Sequence, residues 1–171
     1  MSLIIDKQSV MIIRRLESGD LEKRVEWLND ERVNSTLNIA LPVSLESTQA
    51  WFERNIGNEK RIDFSFEDDG TLVAMGGYTD IDMEKGEAEL YIFVDPDQKG
   101  KGIGFRSVRL MCDYAFETMG LKKIILYANG DNGAARHLYE KIGFVLESIV
   151  EGGIENHGVA KDQYYYGLTR N

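Results

Sequence analysis

Three glycines in five residues, Gly100, Gly102 and Gly104, sit between an apolar run ending at Val94 and a helical pattern beginning at Phe105. Without β-carbons, successive amides in such a segment turn to one side, and the helix that follows adds its positive N-terminal end. The combination is a cradle for an anion, and a pyrophosphate fits it. Lys99, Lys101, Arg106 and Arg109 accompany the glycines, with no acid from 99 to 109. The first helical turn ordinarily favours carboxylates, so four uncompensated cations there, in a chain of net charge -9, point to a bound phosphorylated ligand. The plain alternative is a solvated basic helix face after a glycine turn. A Walker loop requires GxxxxGK[ST], which is absent, and the alternating glycines do not satisfy the dinucleotide pattern GxGxxG.

The elements that must hold this loop follow from hydrophobic periodicity. Gly86 to Val94 alternates Glu87, Glu89, Tyr91 and Phe93 with Ala88, Leu90, Ile92 and Val94, the period of a strand with two distinct faces. Phe105 to Met119 carries Val108, Met111, Cys112, Ala115, Phe116 and Met119 at helical spacing, and Gly120 stops it before a strand over Lys122 to Ala128, which makes a βαβ unit. A helix over Asp131 to Ile142 and strands over Phe144 to Val150 and Gln163 to Leu168 complete the C-terminal part, with Glu151 to Gly158 expected as a flexible glycine-rich loop. Upstream, a strand over Val10 to Leu16 leads to a helix with Leu21, Val25 and Leu28 inward. A second helix follows, capped by Ser44, with Trp51, Phe52 and Ile56 apolar, and then a hairpin over Ile62 to Phe66 and Leu72 to Ile81 turns at Asp69-Gly70.

Composition sets the outer limits. A chain of 171 residues, 43% apolar and 29% charged with two prolines, describes one folded domain, 1–171, rather than a disordered polymer. The acidic balance repels nucleic acid and anionic lipid and favours a cationic partner. No apolar run approaches the length of a membrane span, and no basic segment followed by an apolar signal stretch opens the chain, so a cytoplasmic setting is expected and Met1-Ser2-Leu3 carries no functional weight. One cysteine and two histidines make neither an internal disulfide nor a structural zinc site, and no metal is expected.

The segment from Glu89 to Phe144 resembles the acyl-coenzyme A core of the GNAT superfamily of N-acetyltransferases. Lys99-Gly100-Lys101-Gly102-Ile103-Gly104 matches the signature [RQ]-x-x-G-x-[GA] except that lysine replaces the usual first residue, which keeps positive charge. Asn132 to Phe144 is close to N-x-x-A-x-x-L-Y-x-K-x-G-F. The resemblance implies an α/β (α+β) fold, a mixed, mostly antiparallel sheet of six to seven strands flanked by helices, with a parallel pair splayed at the cofactor site. It implies acetyl-CoA as cosubstrate. The backbone at Phe93 and Val94 would pair with pantetheine, amides from Lys99 through Phe105 (Gly100, Lys101, Gly102, Ile103 and Gly104 between them) would hold the pyrophosphate, Asn132 would bond the pantetheine arm, and Arg136 would meet the 3′-phosphate or remain a solvated helix arginine.

An amine acceptor has a lysine-like pKa of about 10.4 and must lose a proton before it attacks a thioester. Glu89 is the preferred base, with Glu87 on the same face as the other candidate, either acting through water. Tyr139, which the resemblance sets near the sulfur, would protonate the departing thiolate, and the Val94 amide would polarise the carbonyl. Cys112 lies on an inward helical stripe, which favours direct attack in a ternary complex over an acyl-enzyme. His137 and His157 are assigned no catalytic part, although His157 could touch the acceptor.

Trp27, Trp51, Phe52, Tyr164, Tyr165 and Tyr166 serve either the core or aromatic walls of the acceptor site. The acids Asp30, Glu31, Asp68, Asp69, Asp80, Asp82, Glu84, Glu87 and Glu89 suit a positively charged amine. Among relatives, the chain looks most like spermidine-type polyamine acetyltransferases and those acetylating N-termini of ribosomal proteins. An amino-sugar or aminoglycoside acceptor, or a noncatalytic acyl-CoA sensor, stays open. The family implies a homodimer or higher homo-oligomer, formed through the sheet edge or last strand.

Overall fold

Alternation in Glu87–Val94 governs the architecture, because each face of this strand carries its own core. The computed structural model describes residues 4–6 and 10–171, so Met1-Ser2-Leu3 lies outside the described residues. Its strands are β1 (Ile4–Asp6), β2 (Met11–Arg15), β3 (Ile62–Asp68), β4 (Thr71–Asp82), β5 (Glu87–Val94), β6 (Lys123–Asn129), β7 (Val145–Asn156) and β8 (Val159–Thr169). The helices are α1 (Leu21–Leu28), α2 (Glu31–Asn34), α3 (Leu45–Arg54), α4 (Ile103–Asp113) and α5 (Gly133–Ile142). All eight strands form one sheet in the order β1-β2-β3-β4-β5-β6-β8-β7, antiparallel everywhere except at β5 and β6. The expected mixed α/β sheet with one parallel pair is present, and β1 at the edge adds a strand to the seven assigned from periodicity.

Ala88, Leu90, Ile92 and Val94 pack with the inner stripe of α4 and with α5 on one face. Tyr91 and Phe93 pack with α1, α2 and α3 on the other. Val108, Met111, Cys112 and Ala115 all point into the first core, and α4 runs on through a π turn over Tyr114–Thr118 before Gly120 ends it. Ser44 caps α3 by accepting from the Ser47 amide at 3.1 Å. Ile56, expected within this helix, lies beyond it and is exposed.

Two departures bear on the site. In α1 the buried stripe is Leu21, Arg24, Trp27 and Leu28, with Val25 at its margin. Glu151 to Gly158 is no loop: β7 continues to Asn156, the turn is made at His157-Gly158, and Gly152 and Gly153 are taken up in a shift of register between Val150 and Ile154. Glycines here relieve the ladder locally instead of ending it, as a bulge does. Asp162 helps by accepting from the Gly152 amide at 2.9 Å.

The start of α1 is fixed to the sheet by Asp20. Its carboxylate accepts from both terminal nitrogens of Arg14 at 2.8 and 2.9 Å, from the Ser65 hydroxyl at 2.8 Å and from the Glu17 amide at 2.9 Å. Burial alone pushes this carboxyl up, but Arg14, the amide and the hydroxyl together hold it below the usual carboxylate range. Asp20→Asn breaks the two-point bridge and leaves Arg14 with Glu67 as its remaining bonded acid, so urea denaturation at pH 7 is expected to show a loss of about 2 kcal/mol. The folded-state carboxyl titrates below its unfolded value, so the contribution is present above that value and lost on acidification. The difference between parent and variant should close as pH falls below about 4.

Candidate functional site

The site begins where β5 and β6 part. They pair only at Glu87↔Lys123, Ala88↔Ile124 and Glu89↔Ile125, while β5 stays on β4 to Val94 and β6 stays on β8 to Asn129. The Asp95 amide donates to the Val73 carbonyl at 2.8 Å, which makes Ala74↔Val94 a non-hydrogen-bonded pair of the antiparallel ladder. By alternation, the N–H and C=O groups of Ile92 and Val94 face the gap, whereas those of Phe93 are taken by Met75. The strand edge open to a ligand is therefore Ile92 and Val94. For Phe93 this corrects the expected backbone contact, and only its side chain reaches the cleft.

At the far end of β5, Asp95 accepts from the Asp97 amide at 2.9 Å and steers the chain through a short turn into the glycines. Gly100 and Gly102 have φ of 82° and 74°, the left-handed region, and a β-carbon at either would meet no other atom within 4 Å. The space beside this loop is open. The first backbone bond of α4 runs from the Arg106 amide to the Gly102 carbonyl at 3.1 Å, which leaves the amides of Ile103, Gly104 and Phe105 for an outside acceptor.

The cations are less solitary than their sequence neighbours indicate. Arg106 forms a two-point bridge with Asp68 at 3.1 and 3.2 Å, Lys99 reaches the Arg32 carbonyl, Lys101 donates to Gln98 at 3.0 Å, and Arg109 lies 5.9 Å from the Phe105 ring. Asp68 arrives from the end of β3, a neighbour that no local reading of 99 to 109 reveals. The inference from four uncompensated charges fails for Arg106, and the anion cradle rests on its amides.

The gap and the loop open into a cleft of about 900 Å³. Glu89, Val94, Lys99, Gly100, Gly102, Ile103, Gly104, Phe105, Asn132 and Tyr139 all line it, but Lys101, Glu87 and Arg136 do not. Glu87 sits beside Lys123 at the closed end of the parallel pair. The Arg136 guanidinium donates to the Tyr166 hydroxyl at 3.3 Å and the Gly130 carbonyl at 3.2 Å and lies 4.1 Å from the Tyr164 ring. Asn132 caps α5 by accepting from the Ala135 amide at 3.3 Å, leaving its side-chain nitrogen as a donor.

Two titratable groups face each other's half of the cleft from different elements. Glu89 is half-buried on β5, and its carboxyl is raised by burial and by Asp80, against a weak opposing bond from the Thr79 hydroxyl at 3.4 Å. Tyr139 is buried on α5 against Phe144 and Tyr166, and burial pushes its phenol up to about 12. Among the described residues nothing hydrogen-bonds that hydroxyl, so its proton is held and undirected. Burial likewise pushes the Cys112 thiol up to about 12, inside the core and away from the cleft.

The acceptor half was read least well from sequence. None of Trp27, Trp51, Phe52, Tyr164, Tyr165 and Tyr166 lines the cleft, and of the nine acids expected to favour a cation, only Glu89 does. Its wall is α1, α2 and the segment from Thr36 to Ile39, closed against the β7–β8 hairpin by Asn156, which donates to the Leu37 carbonyl and the Asn38 side chain, each at 2.9 Å. Asn38 also exchanges bonds with Asn129 at 3.1 and 3.3 Å, and His157 meets the Asn34 carbonyl at 2.9 Å. His157 thus fastens the hairpin and does not line the cleft. Arg24 lines the same wall from α1, a polar residue at an apolar spacing that a search for hydrophobic stripes passes over. Trp51 and Phe52 instead line a separate cavity of about 590 Å³ behind α3.

A family model described as an acetyltransferase (GNAT) domain matches residues 11–145. The spermidine N(1)-acetyltransferase of Escherichia coli is 30% identical over 96 residues, a match that spans 56% of this chain and about half, 52%, of that protein. The putative ribosomal N-acetyltransferase YdaF of Bacillus subtilis is 28% identical, with 92% of this chain and 90% of that protein covered. The crystal structure of the Vibrio cholerae spermidine N-acetyltransferase in complex with CoA and spermine superposes with a TM-score of 0.89 at 26% identity, over 93% of this chain and 95% of that one.

Gly102→Val is expected to weaken CoA binding by about tenfold or more in calorimetry while the far-ultraviolet dichroism stays native. The branched side chain both strains a left-handed residue, by ~1–2 kcal/mol, and fills the face of the amide nest. Parental affinity in the folded variant would remove the diphosphate from this loop.

Proposed function

This chain belongs to the GNAT acetyltransferase family, and from that premise we propose that it transfers the acetyl group of acetyl-CoA to a primary amine by direct attack in a ternary complex. The acceptor is a polyamine or a peptide N-terminus, a reading supported by relatives named as a spermidine N(1)-acetyltransferase and a putative ribosomal N-acetyltransferase. The observation that carries the reading is the juxtaposition of a gap-facing strand edge at Ile92 and Val94 with the free amides of Ile103, Gly104 and Phe105 in one cleft.

Acetyl-CoA supplies an activated thioester. Val94 and Ile92 offer the backbone edge on which its arm lies as an added strand, with the Asn132 amide as a further donor. Lys99 through Phe105 present amides to the diphosphate. The Val94 N–H, which faces the gap, donates to the carbonyl oxygen. Glu89 takes the ammonium proton, directly or through one water, and its raised pKa makes it a stronger proton acceptor than an exposed carboxylate. Tyr139, held protonated by burial, donates to the leaving sulfur. The buried Cys112 thiol is protonated at neutral pH, which supports direct transfer without an acyl-enzyme.

The whole stretch 1–171 is taken as one acyl-CoA N-acyltransferase domain, a reading supported by a single sheet whose strands run from Ile4 to Thr169. A homo-oligomer formed through β7 accompanies it, supported by the exposed Val145, Ile149 and Val150 on that edge strand. A cytoplasmic setting is part of the same reading. Among the described residues no helix is long and apolar enough to cross a membrane.

Thiol release from acetyl-CoA, measured with polyamines and with peptides bearing free N-termini, tests the function. Tyr139→Phe is expected to lower kcat by about 10²-fold with little change in KM for acetyl-CoA. Tight cofactor binding without turnover on any amine would overturn the enzyme reading. In the parent, activity should fall on acidification with an apparent pKa above that of an ordinary glutamate, because Glu89 must be ionised to accept a proton, and Glu89→Gln should remove that limb of the profile.

A further inference from the structure

The acceptor wall contains one charged group that the transfer mechanism leaves unused. Arg24 is 8% exposed, yet it lines the cleft from the middle of α1. One terminal nitrogen donates to the Tyr91 hydroxyl at 3.1 Å, and the guanidinium plane lies 4.6 Å from the Trp51 ring, 5.5 Å from Tyr91 and 5.3 Å from Phe93. The other terminal nitrogen, Nη1, is buried with no hydrogen-bond partner, and no other buried side-chain nitrogen or oxygen among the described residues is left so.

An aromatic box orients a guanidinium but cannot accept its N–H groups in the plane of the fork. A buried donor without an acceptor is costly, and chains rarely keep one unless a partner arrives. Arg61 shows what completion looks like: it covers the same Trp51 at 4.9 Å, and its fork is filled by Asp63 at 2.8 and 2.9 Å. Tyr91 donates its proton to that Asp63 and accepts from Nη2 of Arg24, and Nη1 makes no bond to it. The site is built and one hydrogen bond short.

Position names the missing group. Arg24 meets the face of β5 at Tyr91, one same-face step of about 7 Å from Glu89. Glu89 is the only carboxylate lining the cleft among the described residues, against two cations, Arg24 and Lys99. A polyamine brings several ammonium groups to a wall that has one counter-charge and a fixed guanidinium, which is unfavourable. An α-amino-acyl group brings one amine for Glu89 and, on the next carbon, an oxygen for Arg24.

Building on the acetyl-transfer reading above, we propose that Arg24 is the specificity-determining residue of the acceptor side, donating from Nη1 to an oxygen carried beside the acceptor amine. It thereby selects α-amino-acyl compounds over polycationic amines. The oxygen belongs either to a peptide carbonyl or to a free carboxylate, and both satisfy the same donor.

The test is initial-rate thiol release from acetyl-CoA with glycinamide, glycine, a tripeptide amide, propylamine and spermidine. Oxygen-bearing acceptors should exceed propylamine by tenfold or more in kcat/KM, mostly through KM. Glycine above glycinamide identifies a carboxylate and the reverse a carbonyl, and either supports the proposal. Arg24→Met should bring the ratio to near one, with partial recovery in Arg24→Lys, whereas a guanidinium that merely props Trp51 would leave the ratio where it was.

Spermidine as the best acceptor, or a parental ratio near one, overturns the assignment of Arg24 without touching acetyl transfer. The parent panel decides this even if Arg24→Met does not fold. An unchanged ratio in folded Arg24→Met also overturns it. Silence from every amine in the panel overturns the transfer reading itself, and this inference with it.

Discussion

Divergence of β5 from β6 after Glu89 and Ile125 is the constraint from which the site follows. A strand in the middle of a sheet normally has both edges satisfied, and leaving one open is costly unless something else pairs with it. Here the strands cannot close, because β5 is held to β4 as far as Val94 and β6 to β8 as far as Asn129. The result is a slot in the interior of a sheet, lined by main-chain donors and acceptors and floored by the Ile92 and Leu138 side of the core. Helix α4 then starts at the mouth of that slot, so the open strand edge and the free helical amides are contributed by one short stretch of chain.

Burial is used with opposite chemical results on either side of the slot. The same desolvation that raises Tyr139 keeps a phenol protonated and ready to donate. Applied to Glu89, it raises a carboxylate, which is a better proton acceptor for having been raised. Neither effect needs a partner charge of opposite sign. The Arg14 and Asp20 pair works differently, since there a buried acid is held ionised and serves only to seat α1 on the sheet. Seating α1 is in turn what carries Arg24 to Tyr91 and Trp51.

What sequence revealed and what it hid divide along the range of the interactions. The alternation in β5, the stripe of α4, the Ser44 cap and the glycine loop are local patterns, and each element formed where its pattern lay. The cradle could be read because its amides belong to consecutive residues. Pairing of Arg106 with Asp68 could not, since its partner is 38 positions away and reaches α4 only through the sheet. Arg24 was missed for a related reason: its spacing places it inward, and only the ring faces of Trp51, Tyr91 and Phe93, drawn from two other elements, make an inward arginine tolerable. The backbone at Phe93 was off by one residue, because which of two neighbours faces a gap depends on ladder phase rather than on side-chain alternation. Glu151 to Gly158 misled because glycine marks both a turn and a bulge, and the long pairing with β8 decides between them.

The amide knot between Asn38, Asn129 and Asn156 ties residues separated by 118 positions. During synthesis, the residues of the diphosphate nest and the helix behind it have all emerged by residue 113, but the wall that encloses the incoming amine waits for nearly the last strand. A nascent or C-terminally clipped chain therefore carries the residues of the nest while lacking the enclosure that excludes water from the far end of the cleft. Completion of the polypeptide itself acts as the final assembly step of the reaction chamber.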